Sequence, residues 1–149
     1  LIFILWAVSL VLILRSEGIF ADDWSVGYIP AVWHMDDDYR CFDDRLDYNG
    51  SPHGLYVKYK ALMIGRYENS KSGCDGTKYS TFVGLEAPLW SLGPVDFSVM
   101  SAIADGYSNA DDYRYGEYQP AASLNAQWKV LKVLYGYKVA AFALQWDFQ

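Results

Sequence analysis

VAAFALQWDF, residues 139–148, is the stretch that decides the fold. Every second residue toward its end is large and apolar: Phe142, Leu144, Trp146 and Phe148. The residues between them are small or polar: Ala143, Gln145 and Asp147. Because successive side chains of a β-strand point to opposite faces, this alternation predicts a strand with one aromatic-rich, apolar face.

The same two-residue period recurs upstream, and no stretch carries a 3.6-residue apolar stripe over three turns. In residues 54–60, for example, Leu55, Val57 and Tyr59 oppose Tyr56, Lys58 and Lys60. The candidate strands are residues 24–33, 54–60, 61–68, 78–90, 93–106, 118–128, 129–135 and 139–148. Short turns such as SLGP and LYGY alternate with longer polar stretches between them. We therefore predict an all-β fold, an eight-stranded antiparallel up-and-down β-barrel.

Periodicity alone does not say which face of each strand points into the barrel. A soluble barrel places the apolar face inside, whereas a membrane barrel reverses the arrangement and carries girdles of aromatic residues. Aromatic residues cluster near the predicted strand ends, and the long strands have one face without charge. These features and the even strand number favour an outer-membrane barrel. The alternative is a soluble ligand-binding barrel with its apolar face inward.

Length and charge narrow the function further. A chain of 149 residues without a break in composition is the size of one domain. Its formal net charge of −6 argues against a nucleic-acid partner, because affinity for phosphate backbones comes from Lys and Arg. A hydrophobic content of 52% is too high for a disordered chain.

The first residues have the character of an export signal. Leu1 to Leu14 is apolar except for Ser9, a run shorter than the roughly 20 residues that a membrane-spanning helix needs. We expect residues 1–21 to be a signal peptide cleaved after Ala21, and residues 22–149 to form the barrel domain. An uncleaved anchor is the alternative.

The two cysteines, Cys41 and Cys74, lie in polar, loop-like stretches. In an exported protein such cysteines are expected to form a disulfide, and two unrelated thiols are the alternative. The acidic stretch around Asp36 and Asp43 lacks the spacing of a calcium-binding loop. We therefore expect a solvated acidic loop, and neither a metal site nor a cofactor.

Several motifs resemble a known family. They are YIPAVWH (residues 28–34), RYENS (66–70), the glycine-containing YSTFVGLE, GPVDFSV, and the aromatic C-terminal strand. With these the sequence resembles the PagP-like outer-membrane lipid A palmitoyltransferase family of small proteobacterial and phage barrels. The resemblance implies a monomeric protein of the outer membrane. It also implies transfer of a fatty acyl chain from a phospholipid to lipid A or a related lipopolysaccharide acceptor.

The resemblance also implies site residues. The family's histidine at the extracellular end of the first strand matches His34, and its Asp-Ser pair after the third strand matches Asn69 and Ser70. The interior glycine of its fourth strand, which measures acyl length, matches Gly84 or the neighbouring Glu86. Asn69 stands where the family has aspartate, so it can orient a histidine by hydrogen bonding but cannot supply negative charge. This departure keeps open a non-enzymatic outer-membrane surface barrel.

Two prolines fall inside predicted strands. Pro30 and Pro120 cannot donate a hydrogen bond to a neighbouring strand, so each marks an edge or a bulge. In palmitoyltransferase-like barrels interrupted strand pairing opens a lateral path for lipid, and the resemblance implies such gates at these prolines. Simple bulges at the barrel rim are the alternative.

Overall fold

The computed structural model of the chain describes residues 24–34, 53–68, 79–105, 118–136 and 139–148. Its eight strands form a closed antiparallel barrel in which each strand pairs with its neighbours in sequence and β8 returns to β1. The strands are β1 (Trp24–His34), β2 (Gly54–Tyr59), β3 (Leu62–Glu68), β4 (Tyr79–Leu92), β5 (Val95–Ala104), β6 (Gln119–Trp128), β7 (Leu131–Gly136) and β8 (Val139–Phe148). No helix in these ranges is long and apolar enough to cross a membrane.

The predicted fold class and all eight predicted strands are confirmed, with differences only at the strand ends. Predicted strands abut at residues 60 and 61, and again at 128 and 129. The structure instead places two-residue turns at 60–61 and 129–130. Lys60 and Lys129 adopt positive φ in these turns, a conformation that sequence patterns associate with Gly, Asn or Asp. Because lysine is not among these residues, the sequence did not predict the two turns.

The barrel has two unlike ends. One, the turn end, carries the two-residue turns 60–61, 93–94 and 129–130 and also the start of β1 and the end of β8. At the other, the loop end, β1, β3 and β5 finish. Most of the chain between these strand ends and the next strand lies outside the described residues. So do the predicted signal peptide, residues 1–21, and both members of the predicted disulfide, Cys41 and Cys74.

Two strands carry irregularities at prolines. The pairing of β1 with β8 shifts register between Tyr28 and Ala31, around Pro30. The pairing of β4 with β5 shifts between Pro88 and Trp90. The shift between Tyr28 and Ala31 confirms the prediction of a bulge at Pro30. A proline cannot donate a backbone hydrogen bond, so it is accommodated where the pairing is interrupted. Pro120, in contrast, pairs in regular register with Ile103.

The outer face of the barrel is apolar. Most of its exposed side chains between the two ends are aliphatic: Val26, Leu55, Val57, Leu62, Ile64, Val83, Ile103, Leu124, Leu131 and Val133. Arg66 is a charged exception, and its guanidinium lies 4.6 Å from the centre of the Tyr79 ring toward the loop end. Exposed aromatic side chains lie at both ends of this belt. Those toward the turn end are Trp24, Tyr59, Trp90, Trp128, Trp146 and Phe148, and those toward the loop end are Trp33, Tyr79, Tyr118 and Tyr135. The apolar faces of the strands therefore point outward, which is the reverse of a soluble barrel.

Candidate functional site

The interior of the barrel is divided into a polar section and an apolar section. On four strands the inward residue nearer the turn end is polar and the next inward residue toward the loop end is apolar or aromatic. These pairs are Lys58 and Tyr56, Glu86 and Gly84, Lys132 and Leu134, and Gln145 and Ala143. We call the polar section, defined by Lys58, Glu86, Ser98, Asn125, Lys132 and Gln145, the polar floor.

Glu86 is the centre of the polar floor. Its Oε1 accepts hydrogen bonds from Lys132 Nζ at 2.6 Å, Ser98 Oγ at 2.6 Å and Asn125 Nδ2 at 3.1 Å. Its Oε2 lies 3.3 Å from Lys58 Nζ. Since Glu86 is only 4% exposed and Lys132 fully buried, both charges are removed from water and depend on these partners.

This ion pair crosses the barrel. Glu86 lies on β4 and Lys132 on β7, and two other strands separate them around the ring. The desolvation of a buried ion pair is offset only when geometry is good and the remaining polar atoms are also bonded. Lys132 meets this condition because its Nζ donates a second hydrogen bond, of 2.9 Å, to Gln145 Oε1.

Hydrogen bonds of side-chain amides connect the polar floor to further residues on β1, β2 and β8. Gln145 Oε1 also accepts a 2.8 Å hydrogen bond from the hydroxyl of Tyr56, and Gln145 Nε2 donates to Asp147 Oδ1 at 2.7 Å. Asp147 in turn accepts from Ser25 Oγ at 2.6 Å and from Gln127 Nε2 at 2.8 Å. Side chains from every strand except β3 therefore take part in one connected network.

The apolar section lies between the floor and the loop end. Its buried residues form one cluster: Ile29, Tyr56, Met63, Phe82, Ala102, Ala104, Leu134 and Ala143. The partly buried Val32, Tyr67, Met100 and Ala141 pack against it. The wall of this section is apolar, and it combines large side chains with several alanines. Such a lining is chemically suited to a hydrocarbon chain.

Near the loop end, two strand segments pair on one side only among the described residues. β1 pairs with β2 only as far as Ile29 opposite Gly54, although β1 continues to His34. β6 pairs with β7 only from Ser123 opposite Gly136, although β6 begins at Gln119. Within the described ranges, residues 31–34 therefore pair with β8 alone and residues 119–122 with β5 alone. Pro30 and Pro120 lie in or beside these half-paired segments.

The sequence placed its catalytic candidates at the loop end. His34 is the last residue of β1 and pairs in register with Val139. Asn69 and Ser70 directly follow Glu68, the last residue of β3, but lie outside the described residues. Because β1 and β3 run in the same direction in an antiparallel barrel, both strands finish at this end. The ends of these strands are thus separated only by β2.

The acyl-pocket candidates, Gly84 and Glu86, occupy successive inward positions of β4. A β-carbon at Gly84 would lie 2.9 Å from Ala102 Cβ and 2.8 Å from the carbonyl oxygen of Ser101. Gly84 is therefore a point where the inner walls of β4 and β5 approach closely. Glu86 belongs to the polar floor, which bounds the apolar section on the side of the turn end.

Sequence reasoning missed the partners of Glu86. Lys58 and Lys132 each stand on the face of their strand opposite a run of apolar residues, and this was the available signal. A lysine on the strand face opposite an outward-pointing apolar face points into the barrel, where an opposite charge is expected beside it. Which acidic residue it meets depends on the stagger of the strands, which the sequence does not give.

The second histidine has a different environment. His53, just before β2, is exposed, and its Nδ1 lies 2.6 Å from the Tyr28 hydroxyl oxygen. The two rings stack with centroids 5.9 Å apart. Tyr28 and Val26 lie on the same face of β1, so this pair lies on the outer side of the barrel rim.

Comparison with known proteins finds no matching family model, no matching curated protein and no matching solved structure.

Proposed function

We propose that this chain is a monomeric outer-membrane acyltransferase that moves a fatty acyl chain from a phospholipid to lipid A or a related lipopolysaccharide acceptor. One observation carries the proposal: an apolar interior section, bounded toward the turn end by the polar floor, lies beside two segments that pair on one side only within the described residues. An acyl chain in the surrounding lipid has a route of entry at these places. The floor sets the depth to which the chain can reach.

The membrane location is supported by the outer face. The aliphatic belt and the aromatic side chains at both of its ends form the surface that a barrel presents to lipid. A soluble barrel would instead leave these residues in water, where large contiguous apolar surfaces are rare. The orientation of the strands therefore argues against the soluble ligand-binding alternative.

The chemistry falls to residues at the loop end. In the proposed reaction a hydroxyl of the acceptor attacks the carbonyl carbon of a phospholipid ester. The new ester bond forms, the old one breaks, and the acceptor's proton passes to the leaving glycerol oxygen. His34 supplies the imidazole that serves as the base for this proton transfer. Ser70 supplies a hydroxyl near the carbonyl, and Asn69 orients the imidazole by hydrogen bonding.

A second candidate function is favoured by one observation. Asn69 stands where the palmitoyltransferase-like pattern has aspartate, so no carboxylate at this position stabilises a protonated histidine. A barrel with the same interior but without transfer activity would be a surface protein that alters the bacterial envelope or masks a receptor.

The deciding experiment is mass analysis of lipids from cells that express the protein. We expect an added acyl chain on lipid A or on another envelope lipid with the wild-type protein, and its loss with His34→Ala and with Ser70→Ala. His53→Ala is the matched control, because this exposed histidine lies on the outer side of the rim. A folded, membrane-inserted wild-type protein that acylates nothing would overturn the enzymatic proposal and leave the surface-barrel function.

A further inference from the structure

Two of the three turns at the turn end share one four-residue pattern. Tyr59-Lys60-Ala61-Leu62 joins β2 to β3, and Trp128-Lys129-Val130-Leu131 joins β6 to β7. In both turns an aromatic residue is followed by a lysine, a second turn residue and a leucine. The β2–β3 and β6–β7 turns are four strands apart in a ring of eight, so they lie on opposite sides of the barrel.

The lysines occupy backbone conformations that favour glycine. Lys60 has φ of 52° and Lys129 of 54°, in the left-handed region where a β-carbon is unfavourable. The third turn of this end places Gly93 in the same region, with φ of 60°. Since glycine would be better for the backbone at positions 60 and 129, the lysine side chains are expected to have a role that offsets the strain.

The turns hold both ammonium groups beside aromatic rings. Lys60 Nζ lies 5.5 Å from the centroid of the Tyr59 ring, and Lys129 Nζ lies 5.4 Å from that of Trp128. The backbone is fixed in the same way in each turn, because the carbonyl after the lysine accepts a 2.8 Å hydrogen bond from the next strand. The donors are the amides of Glu86, to Ala61, and Gln145, to Val130.

We propose that Lys60 and Lys129 bind the phosphate groups of anionic phospholipids in the leaflet that faces the turn end. This inference rests on the membrane location in the proposed function, but not on acyl transfer. Tyr and Trp settle at the level of lipid headgroups, so a cation held against Tyr59 or Trp128 lies where lipid phosphates are. Binding on opposite sides of the barrel fixes both its depth and its tilt.

The third turn, at residues 93–94, does not offer such a phosphate site. Ser91 donates a 2.6 Å hydrogen bond to the Asp96 carboxylate beside Gly93, so this turn presents an anion and no lysine. An anionic headgroup is repelled there. Of the three described turns at this end, two therefore carry a lysine and the third adjoins an aspartate.

The test compares unfolding in lipid vesicles of two compositions, phosphatidylcholine alone and phosphatidylcholine mixed with phosphatidylglycerol. For the wild-type protein, phosphatidylglycerol is expected to lower the unfolding equilibrium constant about 25-fold, the product of about fivefold for each lysine near an anionic surface. The double variant Lys60→Asn/Lys129→Asn is expected to lose this difference. In phosphatidylcholine alone it should be at least as stable as the wild type, because Asn tolerates positive φ.

A charge-conserving double variant, Lys60→Arg/Lys129→Arg, should retain the preference for phosphatidylglycerol, and high salt should weaken it. Addition of inorganic phosphate to phosphatidylcholine vesicles should not reproduce it. An Asn variant that keeps the full preference, or that is destabilised equally in both vesicles, would overturn the inference while leaving the membrane location in place. Failure of the wild type to insert into either vesicle would overturn the membrane location, and the lysine sites with it.

Discussion

The ring of Tyr56 covers the backbone of Gly27, which lies directly opposite it in the register of β1 and β2. Because Gly27 has no side chain, the tyrosine can reach across β1 and donate its hydroxyl hydrogen to Gln145 on β8. Phe82 covers Gly65 in the same way between β3 and β4. These aromatic-over-glycine pairs bring large side chains close to the barrel wall and order the interior.

Replacement of Gly27 by alanine should therefore destabilise the barrel. A β-carbon at this position overlaps the ring of Tyr56, so the ring has to move and its hydrogen bond to Gln145 is strained or lost. Overpacking of this kind typically costs about 1–3 kcal/mol, and loss of the hydrogen bond adds to it. The measurement is the free energy of unfolding in detergent or vesicles. Gly93→Asn is the control, since nothing lies within 4 Å of a β-carbon there and Asn tolerates its positive φ. Equal effects of the two substitutions would contradict the role of Tyr56.

Removal of one partner of the buried ion pair should be more harmful than removal of both charges. Lys132→Met leaves the carboxylate of Glu86 buried without its nearest cation, and such losses cost about 3–5 kcal/mol. Lys132→Met combined with Glu86→Gln keeps an acceptor for Ser98 and Asn125 but leaves no unpaired anion. We expect the double variant to unfold with a free energy closer to that of the wild type. Additive effects in this double-mutant cycle would show that the two side chains are not coupled.

The outer face offers a test of the membrane location that does not depend on activity. Ile64 lies in the middle of β3, opposite Val57 and Val83, and is exposed on the apolar belt. Ile64→Lys should cost about 2–4 kcal/mol in a bilayer, whereas the same change near an interface costs about 0–1 kcal/mol. Leu92→Lys at the turn end is the matched substitution. If both variants unfold alike in vesicles, the belt does not contact hydrocarbon.

The apolar section can be tested through two adjacent residues of β8. Ala141 points inward and packs against the apolar cluster, and Ala140 points outward. Leucine at position 141 narrows the space for a hydrocarbon chain, so Ala141→Leu should reduce transfer of long acyl chains more than transfer of short ones. Ala140→Leu should leave the distribution of acyl lengths unchanged. Lipid mass analysis gives this distribution directly, and an unchanged distribution in a folded Ala141→Leu variant would argue against acyl binding in this section.

The strands could be predicted from the sequence, whereas the side-chain contacts that join them across the interior could not. Alternation such as that of Phe142, Leu144 and Trp146 depends only on the two-residue period of a strand, so it can be recognised without knowledge of tertiary structure. The turns at Lys60 and Lys129 were missed because tertiary context, rather than residue preference, holds their positive φ. The pairing of Glu86 with Lys132 links positions 46 residues apart through the stagger of four strands. A single sequence contains no local signal for that distance.

The same limit applies to the candidate site. Placement of His34 at the end of β1, and of Asn69 and Ser70 after β3, followed from the pattern of strands and from the resemblance to palmitoyltransferases. The one-sided pairing of the described residues near Pro30 and Pro120 was foreseen only as one of two alternatives, because a proline marks where a hydrogen bond is missing and not how many residues beside it are unpaired. The division of the interior at the polar floor was not foreseen.

The polar floor has a consequence for the cell that makes this protein. Lys132, Asn125 and Glu86 are almost fully buried, and the hydrogen bonds that Lys132 and Asn125 donate to Glu86 cross the interior from β7 and β6 to β4. These side chains occupy a part of the interior that is filled with water in a wider barrel. In the proposed outer-membrane location, we therefore expect the protein to insert without opening a pore for ions or small solutes. On that proposal the floor preserves the permeability barrier of the membrane, which a wider, water-filled barrel would breach.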